Sequence, residues 1–131
     1  MKFEGLKRNV IQWADKKDLV LLGNSFSQYA KFQEEGNEIL VAMNKIETLF
    51  KESDVFLNEV WNDELKNNMQ EWMNKKESAY NELKDGLGDT IVTLIILAAQ
   101  YDLDIVECLE YAYNEIKDRT GKTVDGTFIK D

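Results

Sequence analysis

No proline occurs among the 131 residues of this chain. Proline lacks a backbone N–H and clashes with the preceding helical turn, so a chain without it can form long, uninterrupted helices. Apolar residues also recur at helical spacing through most of the sequence, and the strict alternation of a half-buried strand is nearly absent. We therefore predict an all-α fold in a single domain that covers residues 1–131.

The periodicity divides the chain into helical segments. They cover residues 6–15, 25–49, 51–81, 82–101 and 104–119. The pair Ser25 and Gln28 has the form of a capping box that starts the second segment, and Asp104 is expected to cap the last one. The inward-facing candidates of the second segment are Phe26, Tyr29, Ala30, Phe32, Ile39, Leu40, Met43 and Ile46. Residues 120–131 are predicted to form an ordered or semi-ordered tail.

Composition excludes several classes of function. The chain has no His, which excludes the most common zinc ligand and any Ser–His or Cys–His nucleophile pair. Its net charge of −9 repels phosphate backbones, so a nucleic-acid duplex is not an expected partner. No apolar run is long enough to span a membrane, and the single Cys108 suits a reducing compartment. We therefore expect a cytoplasmic protein with no membrane partner.

A first cluster of carboxylates lies within the second helical segment. Glu35 and Glu38 are three positions apart, and Glu34 and Glu38 are four apart, so their carboxylates lie close together on one helix. Like charges at this spacing destabilise an isolated helix, and they are tolerated on a solvated face or placed around a cation. Oxygen ligands on helices suit Mg²⁺ or Mn²⁺, the hard ions that also bind triphosphates.

A second cluster precedes the most apolar part of the chain. Asp85 and Asp89 are four positions apart, and Gly86 and Gly88 between them each cost about 1 kcal/mol relative to Ala in a helix. Glycines retained at that cost indicate close helix packing or the approach of a ligand. A carboxylate beside a buried run must be paired, capped or bound to a metal. Two interpretations stay open: a metal site shared with the first cluster, or Asp89 as the cap of a new helix that begins at Thr90.

A short basic group lies near the end of the chain, where Asn114, Lys117 and Arg119 occur close to two tyrosines. In so acidic a chain these side chains are candidates to bind phosphates, although cations also suit the last turn of any helix. Trp13 is a candidate to stack on a nucleobase, but a lone Trp at helical spacing is more often part of a core. Gln28 is either an active-site amide or only the second half of the capping box.

The order of these motifs resembles the MazG-like family of all-α nucleotide pyrophosphohydrolases, and most closely its short phage-encoded members. The resemblance covers about residues 10–45 and 84–130. It is carried by Gln28-x-x-Lys31-x-x-Glu34-Glu35-x-x-Glu38, by Gly88-Asp89 before an apolar helix, and by Asn114-x-x-Lys117-x-Arg119. It implies an antiparallel helical bundle that assembles as a homo-oligomer, either a dimer or a tetramer. If the chain is encoded by a phage, the implied location is the cytoplasm of the host cell.

The resemblance also implies roles for individual residues. Glu35 and Glu38 match the first acidic pair of the family, and Asp89 matches the aspartate of the second pair. The implied ligands of Mg²⁺ or Mn²⁺ are Glu35, Glu38, Asp85 and Asp89. The implied catalytic residues are Glu34, Glu35, Glu38 and Asp89. The implied substrate-binding residues are Gln28, Lys31, Asn114, Lys117, Arg119 and Trp13.

Two features of the chain depart from the family pattern. Position 86 is Gly where the family usually has Glu, and Asp85 is the expected substitute because it lies on nearly the same helix face. More residues than usual separate Glu38 from Asp85. We therefore interpret residues 51–81 as a helical insertion that forms a second helical layer, a dimer contact or a substrate lid.

The implied reaction is metal-assisted hydrolysis of a nucleoside triphosphate to a nucleoside monophosphate and pyrophosphate. Glu34, or another carboxylate that does not bind metal, is expected to orient or deprotonate the attacking water. Lys31, Lys117 and Arg119 are expected to offset the charge of the phosphates. Two alternatives stay open: a degenerate member that binds nucleotide without hydrolysing it, and a helical module whose acidic face binds a basic protein.

Overall fold

A computed structural model describes all 131 residues, and it is mostly helical, as predicted. Its elements are α1 (Phe3–Lys16), α2 (Ser25–Ser53), a short 3-10 helix (Asp54–Asn58), α3 (Asp63–Gln100), α4 (Ile105–Ile116), β1 (Gly121–Val124) and β2 (Thr127–Lys130). None of the four α-helices combines the length and the apolar character that crossing a membrane would require.

The start of α2 corrects the predicted capping box. Asn24 is the N-cap, and its side-chain oxygen accepts hydrogen bonds from the backbone N–H groups of Phe26 and Ser27. The side chain of Gln28 is turned away from the helix start and donates to the carbonyl of Thr93 instead. Asn caps as well as Ser does, so residue preferences at this position did not separate the two. The predicted cap of the last helix is confirmed, because Asp104 accepts from the N–H of Val106.

The predicted segments 51–81 and 82–101 do not form two separate helices. The chain leaves α2 at Ser53, passes through the 3-10 helix, and enters α3 at Asp63. From there α3 continues without a break to Gln100, through both Gly86 and Gly88. The interpretation of Asp89 as the cap of a new helix at Thr90 is therefore wrong, since Asp89 lies in the interior of a long helix.

The predicted tail is a small β-hairpin, which the sequence analysis missed. Strands β1 and β2 pair antiparallel, with Val124 opposite Thr127. Asp125 and Gly126 connect them and both have positive φ angles, of 50° and 78°. An Asp-Gly pair is a strong signal for this type of two-residue turn, because both positions need a left-handed backbone. The signal was present in the sequence, but the flanking strands are only four residues long.

The chain divides into two compact units, which we describe separately. The helical-hairpin unit comprises Gly23–Leu94, and the terminal unit comprises Met1–Leu22 together with Ile95–Asp131. Helix α3 contributes residues to both units. The single domain expected over residues 1–131 stays a prediction.

In the helical-hairpin unit, α2 and α3 run antiparallel and bury every seventh residue. The buried seam of α2 consists of Gln28, Glu35, Ala42 and Leu49. The buried seam of α3 consists of Leu65, Ala79, Gly86 and Thr93, with the half-buried Trp72 in the same series. A strict seven-residue repeat is typical of helices that pack with coiled-coil geometry. Contacts from end to end define the pairing, from the Gln28 bond to Thr93 to the bond that the Trp72 indole N–H donates to the Leu49 carbonyl at 2.6 Å.

This seam differs from the predicted inward face of α2. Several of the residues expected to face inward are about half exposed, including Tyr29, Leu40 and Met43. The seam contains Gln28 and Glu35 instead, which are polar residues that a hydrophobicity pattern assigns to the surface. Helix α3 therefore covers the side of α2 with Gln28 and Glu35, and it leaves large apolar side chains such as Leu40 about half exposed.

In the terminal unit, one buried lysine connects α1 to the start of α4. The Lys7 ammonium contacts the carboxylates of Glu4 and Asp104, and it lies 2.9 Å from Asp104 Oδ2. The hydrogen bonds that Lys7 donates to Glu4 and Asp104 raise the pKa of Lys7, and the bond accepted from Lys7 lowers the pKa of Asp104. The same Asp104 carboxylate caps α4, so it joins two elements through a single side chain.

We expect Asp104→Asn to lower the free energy of unfolding at neutral pH and to lose this effect in acid. Asn also caps helices well, so the substitution mainly removes the charge facing Lys7. Because the folded protein lowers the pKa of Asp104, its contribution is present above the ordinary value of 3.8 and disappears as the pH falls through the lowered pKa. Urea unfolding of both proteins between pH 2 and pH 7 measures the difference. A difference that stays constant over this range would assign the effect to capping and not to charge.

Candidate metal centre

The centre of the site is a buried carboxylate on α2. Glu35 lies in the seam, and its side chain is 8% exposed. One of its oxygens, Oε1, lies 3.2 Å from the ammonium of Lys31, one helical turn earlier. The other oxygen, Oε2, is buried and has no hydrogen-bond partner. A buried carboxylate oxygen without a donor is costly, and a bound cation would remove this cost.

Three carboxylates converge at this point. Oxygen atoms of Glu35, Glu38 and Asp89 all lie within 4.8 Å of one another. Glu35 and Glu38 come from α2, and Asp89 comes from α3 on the other side of the hairpin. The structure thus brings together three of the four predicted metal ligands, across a large separation in the sequence.

The close approach of these carboxylates raises the pKa of Glu38. The main cause is that its carboxyl lies within hydrogen-bonding reach of Glu35, and the negative charge of Glu35 adds to the effect. Partial burial and the charge of Glu34 act in the same direction, and the ammonium of Lys31 opposes them. A carboxylate whose ionised form is disfavoured by its neighbours, as Glu38 is here, gains from a divalent cation placed among them.

Asp85 lies outside the group of three but lines the same cavity. The cavity has a volume of about 290 Å³, and its walls include Glu38, Glu82, Asp85 and Asp89. Its volume equals that of about ten water molecules, so a hydrated ion and a phosphate group fit. The role of Asp85 as a metal ligand stays a prediction.

The sequence analysis missed Glu82 as a member of this cavity. Its carboxylate pairs with the Lys45 ammonium at 2.8 Å, which links α3 to α2 at the edge of the site. Glu82 is seven residues before Asp89, so the two lie on the same face of α3. The seven-residue spacing could have indicated that Glu82 and Asp89 share a site. Exposed glutamates are common on helices, however, so this spacing alone does not distinguish a site from a solvated surface.

The two glycines of the second cluster have different environments. A Cβ atom at Gly86 would lie 3.1 Å from Ile39 Cγ1 and 3.6 Å from the Ile39 backbone nitrogen. Gly86 therefore allows α3 to approach α2 next to Glu35. A Cβ atom at Gly88 would have no atom within 4 Å. The prediction of close packing holds for Gly86 only.

The remaining predicted residues of α2 surround the buried Glu35. Lys31 also pairs with Glu34, with 3.4 Å between the ammonium and Oε2, and the side chain of Glu34 is largely exposed. These two partners raise the pKa of Lys31, with Glu35 as the main cause. Gln28 is buried and its amide nitrogen lies 3.1 Å from the Thr93 carbonyl oxygen, so it holds α2 and α3 in register about two turns before Glu35. Its role in substrate binding stays a prediction.

The other predicted substrate-binding residues belong to the terminal unit. Trp13 on α1 is half exposed, so in this chain it is not a core residue. Asn114 is an exposed residue of α4, while Lys117 is its C-cap and donates its backbone N–H to the Tyr113 carbonyl. Arg119 follows and is also exposed. None of the four side chains has an ion-pair or hydrogen-bond partner, and their assignment to phosphates or a nucleobase stays a prediction.

The donor set of the site fits a hard cation. It contains only carboxylate oxygens, it includes one buried oxygen that lacks a partner, and it offers no nitrogen or sulfur. Oxygen-only sites of this kind are typical of Mg²⁺, Mn²⁺ and Ca²⁺.

Comparison with other proteins found no relative of this chain. No family model matches it, and neither a curated protein nor a solved structure is significantly similar to it. The resemblance to the MazG-like family consequently rests on the residues quoted above, and the geometry of the site is independent of it.

Proposed function

We propose that this chain is a nucleoside triphosphate pyrophosphohydrolase of the MazG-like kind that depends on Mg²⁺ or Mn²⁺. The observation that carries the proposal is the convergence of Glu35, Glu38 and Asp89 around a buried, unpartnered carboxylate oxygen. Exposed acidic residues commonly cluster without a ligand. A carboxylate placed in a helix seam is costly to bury unless it is paired or binds a cation.

In this proposal Glu35, Glu38 and Asp89 hold the cation, with Asp85 and Glu82 beside it. A bound divalent cation would neutralise phosphate oxygens and activate a water molecule. Glu34 is exposed next to the site, and its carboxylate would accept the proton of the attacking water. Lys31 lies within reach of both Glu34 and Glu35, so its ammonium would orient these two carboxylates and face the phosphates. Hydrolysis breaks the bond between the α-phosphorus and the bridging oxygen, which leaves with pyrophosphate.

The test is product release from a panel of canonical and modified NTPs and dNTPs. The assay measures nucleoside monophosphate and pyrophosphate with Mg²⁺, with Mn²⁺ and with EDTA, on protein whose helical content has been verified. We expect monophosphate and pyrophosphate in equal amounts, and only in the presence of a divalent cation. Release of orthophosphate and a diphosphate would assign a different bond. Tight binding of nucleotide without turnover would refute the hydrolase and favour the degenerate, nucleotide-binding alternative.

A further inference from the structure

A cavity of about 710 Å³ lies in the helical-hairpin unit, far from the acidic site, and the proposed hydrolysis does not use it. Its walls come from the end of α2, the 3-10 helix and the first half of α3. Met73 in its wall and Asp89 in the acidic site are separated by roughly 24 Å along α3. We call this cavity the apolar groove, because six large apolar side chains line it: Phe56, Leu57, Met69, Trp72, Met73 and Tyr80.

A rigid cluster of aromatic rings supports the groove. The indole N–H of Trp72 donates a hydrogen bond of 2.6 Å to the Leu49 carbonyl, which fixes the position of the ring. The rings of Phe50 and Phe56 meet Trp72 edge-on, with centroid distances of 6.0 Å and 6.4 Å. The groove is therefore ordered before a ligand arrives, and a ligand loses less binding free energy to ordering its site.

Apolar side chains at the groove are open to solvent. Leu57 is 81% exposed and Met73 is 55% exposed, and both line the cavity. Val60 and Trp61, on the same connection between α2 and α3, are 83% and 66% exposed. Methionine side chains are flexible and adapt to apolar groups of different shapes. Exposed apolar residues grouped at a cavity of this size are typical of a binding site.

The charges around the groove are mainly negative. The carboxylates of Asp54 and Glu77 line it, and neither has an ion-pair or hydrogen-bond partner. Lys76 is the only cation in its walls, and its ammonium lies 5.5–6.0 Å from the centroids of three aromatic rings without forming an ion pair. Residues 51–81 as a whole contain seven acidic and four basic side chains. This part of the chain therefore attracts a cationic ligand, which Asp54 and Glu77 are free to pair with.

An amphipathic helix with basic residues matches these features. Its apolar face would lie against the aromatic and methionine side chains, and its Lys or Arg residues would pair with the carboxylates at the rim. The α3 wall from Met69 to Tyr80 is roughly 16 Å long, which equals three turns of such a helix. The walls are helical and offer no strand edge, so an extended segment would find no backbone partners there. We propose that the apolar groove binds a basic amphipathic helix of a partner protein.

The first test uses a synthetic peptide of about 18 residues with Leu and Lys at helical spacing. Calorimetry measures its binding to the full chain, and circular dichroism measures its helical content. We expect one bound peptide per chain, a Kd of about 1–10 μM and an increase in helix on binding. A peptide of the same composition in strict alternation, and a Leu–Glu peptide at helical spacing, should each bind at least about tenfold more weakly.

Two methionines provide a matched pair of variants, since Met73 and Met43 are 55% and 49% exposed and only Met73 lines the groove. Met73→Gln should weaken binding of the Leu–Lys helix by about tenfold or more, and Met43→Gln should change it by less than about threefold. Two neighbouring charges should act in opposite directions. Glu77→Gln should weaken binding because it removes a negative charge from the rim, and Lys76→Gln should strengthen it because it removes the opposing cation.

Several results would overturn the proposal. They are no binding of the Leu–Lys helix to the folded chain, equal binding of the Leu–Glu helix, and equal effects of Met73→Gln and Met43→Gln. Weaker binding after Lys76→Gln would also overturn it. If Met73→Gln unfolds the chain, the opposite signs of Glu77→Gln and Lys76→Gln decide the question. The groove is independent of the proposed function, so absence of nucleotide hydrolysis with peptide binding intact would refute only the hydrolase.

Discussion

Glu38→Gln is expected to abolish hydrolysis of nucleoside triphosphates, with a loss of at least about 100-fold in the rate at saturating Mg²⁺. Metal-assisted polarisation contributes several kcal/mol to such reactions, and each 1.4 kcal/mol corresponds to a factor of about ten. Gln has nearly the same shape as Glu but lacks the charge that holds a cation. Glu71→Gln is the matched control, because Glu71 is an exposed residue of α3 that pairs only with Lys75. The control should retain the activity of the parent.

The same variant is expected to change stability in two opposite ways. The proximity of Glu35 raises the pKa of Glu38, so the charged form of Glu38 destabilises the metal-free fold. Glu38→Gln should therefore raise the Tm in EDTA, while the increase in Tm that Mg²⁺ causes in the parent should vanish. Thermal melts of both proteins with EDTA and with Mg²⁺ measure the two effects. A parent whose Tm does not respond to Mg²⁺ would identify the cluster as a solvated acidic face and favour the protein-interaction module.

Gly86→Glu is expected to destabilise the fold, although it restores the residue that the family pattern has at this position. A side chain at Gly86 would meet Ile39, and overpacking of a helix contact costs about 1–3 kcal/mol. The added charge would also lie beside the buried Glu35 in the seam. Urea unfolding in EDTA measures the loss.

Gly88→Ala, in the same helix, is expected to stabilise the fold. Its Cβ atom would have no neighbour within 4 Å, so the only effect is the helix propensity, a gain of about 1 kcal/mol. Opposite signs for the two substitutions would show that packing against Ile39 determines residue 86. Stabilisation by both would mean that α2 and α3 can separate at this point, and that the missing carboxylate has another explanation.

Local features of the chain were predictable from its sequence. The bounds of α1 followed from periodicity to within a few residues, and Asp104 was recognised as the cap of α4. The start of α2 was predicted at the right place, although its cap is Asn24 and not Ser25. The pairing of Glu35 with Glu38 also followed, because residues three apart on a helix are neighbours whatever the helix packs against. Each of these features depends on interactions between residues that are close together in the sequence, so the sequence is sufficient to predict it.

Other features depend on which faces of the helices meet. The periodicity of α2 has apolar residues on two sides, so it could not show that α3 covers the side with Gln28 and Glu35 and leaves Tyr29 and Leu40 exposed. The unbroken course of α3 through Gly86 and Gly88 was equally hidden, since glycines in a helical pattern indicate a break as readily as a close contact.

By itself, the sequence determined that the chain is helical, that it has no His to act as a base or a zinc ligand, and that two clusters of carboxylates occur at helical spacing. Only the tertiary structure decided that Asp89 joins Glu35 and Glu38 while Asp85 lies at the side of the cavity, and that Gly86 is required by Ile39. The physical reason is the register between two antiparallel helices. A shift of one residue would rotate each seam by about 100°, and it would separate the carboxylates that now converge.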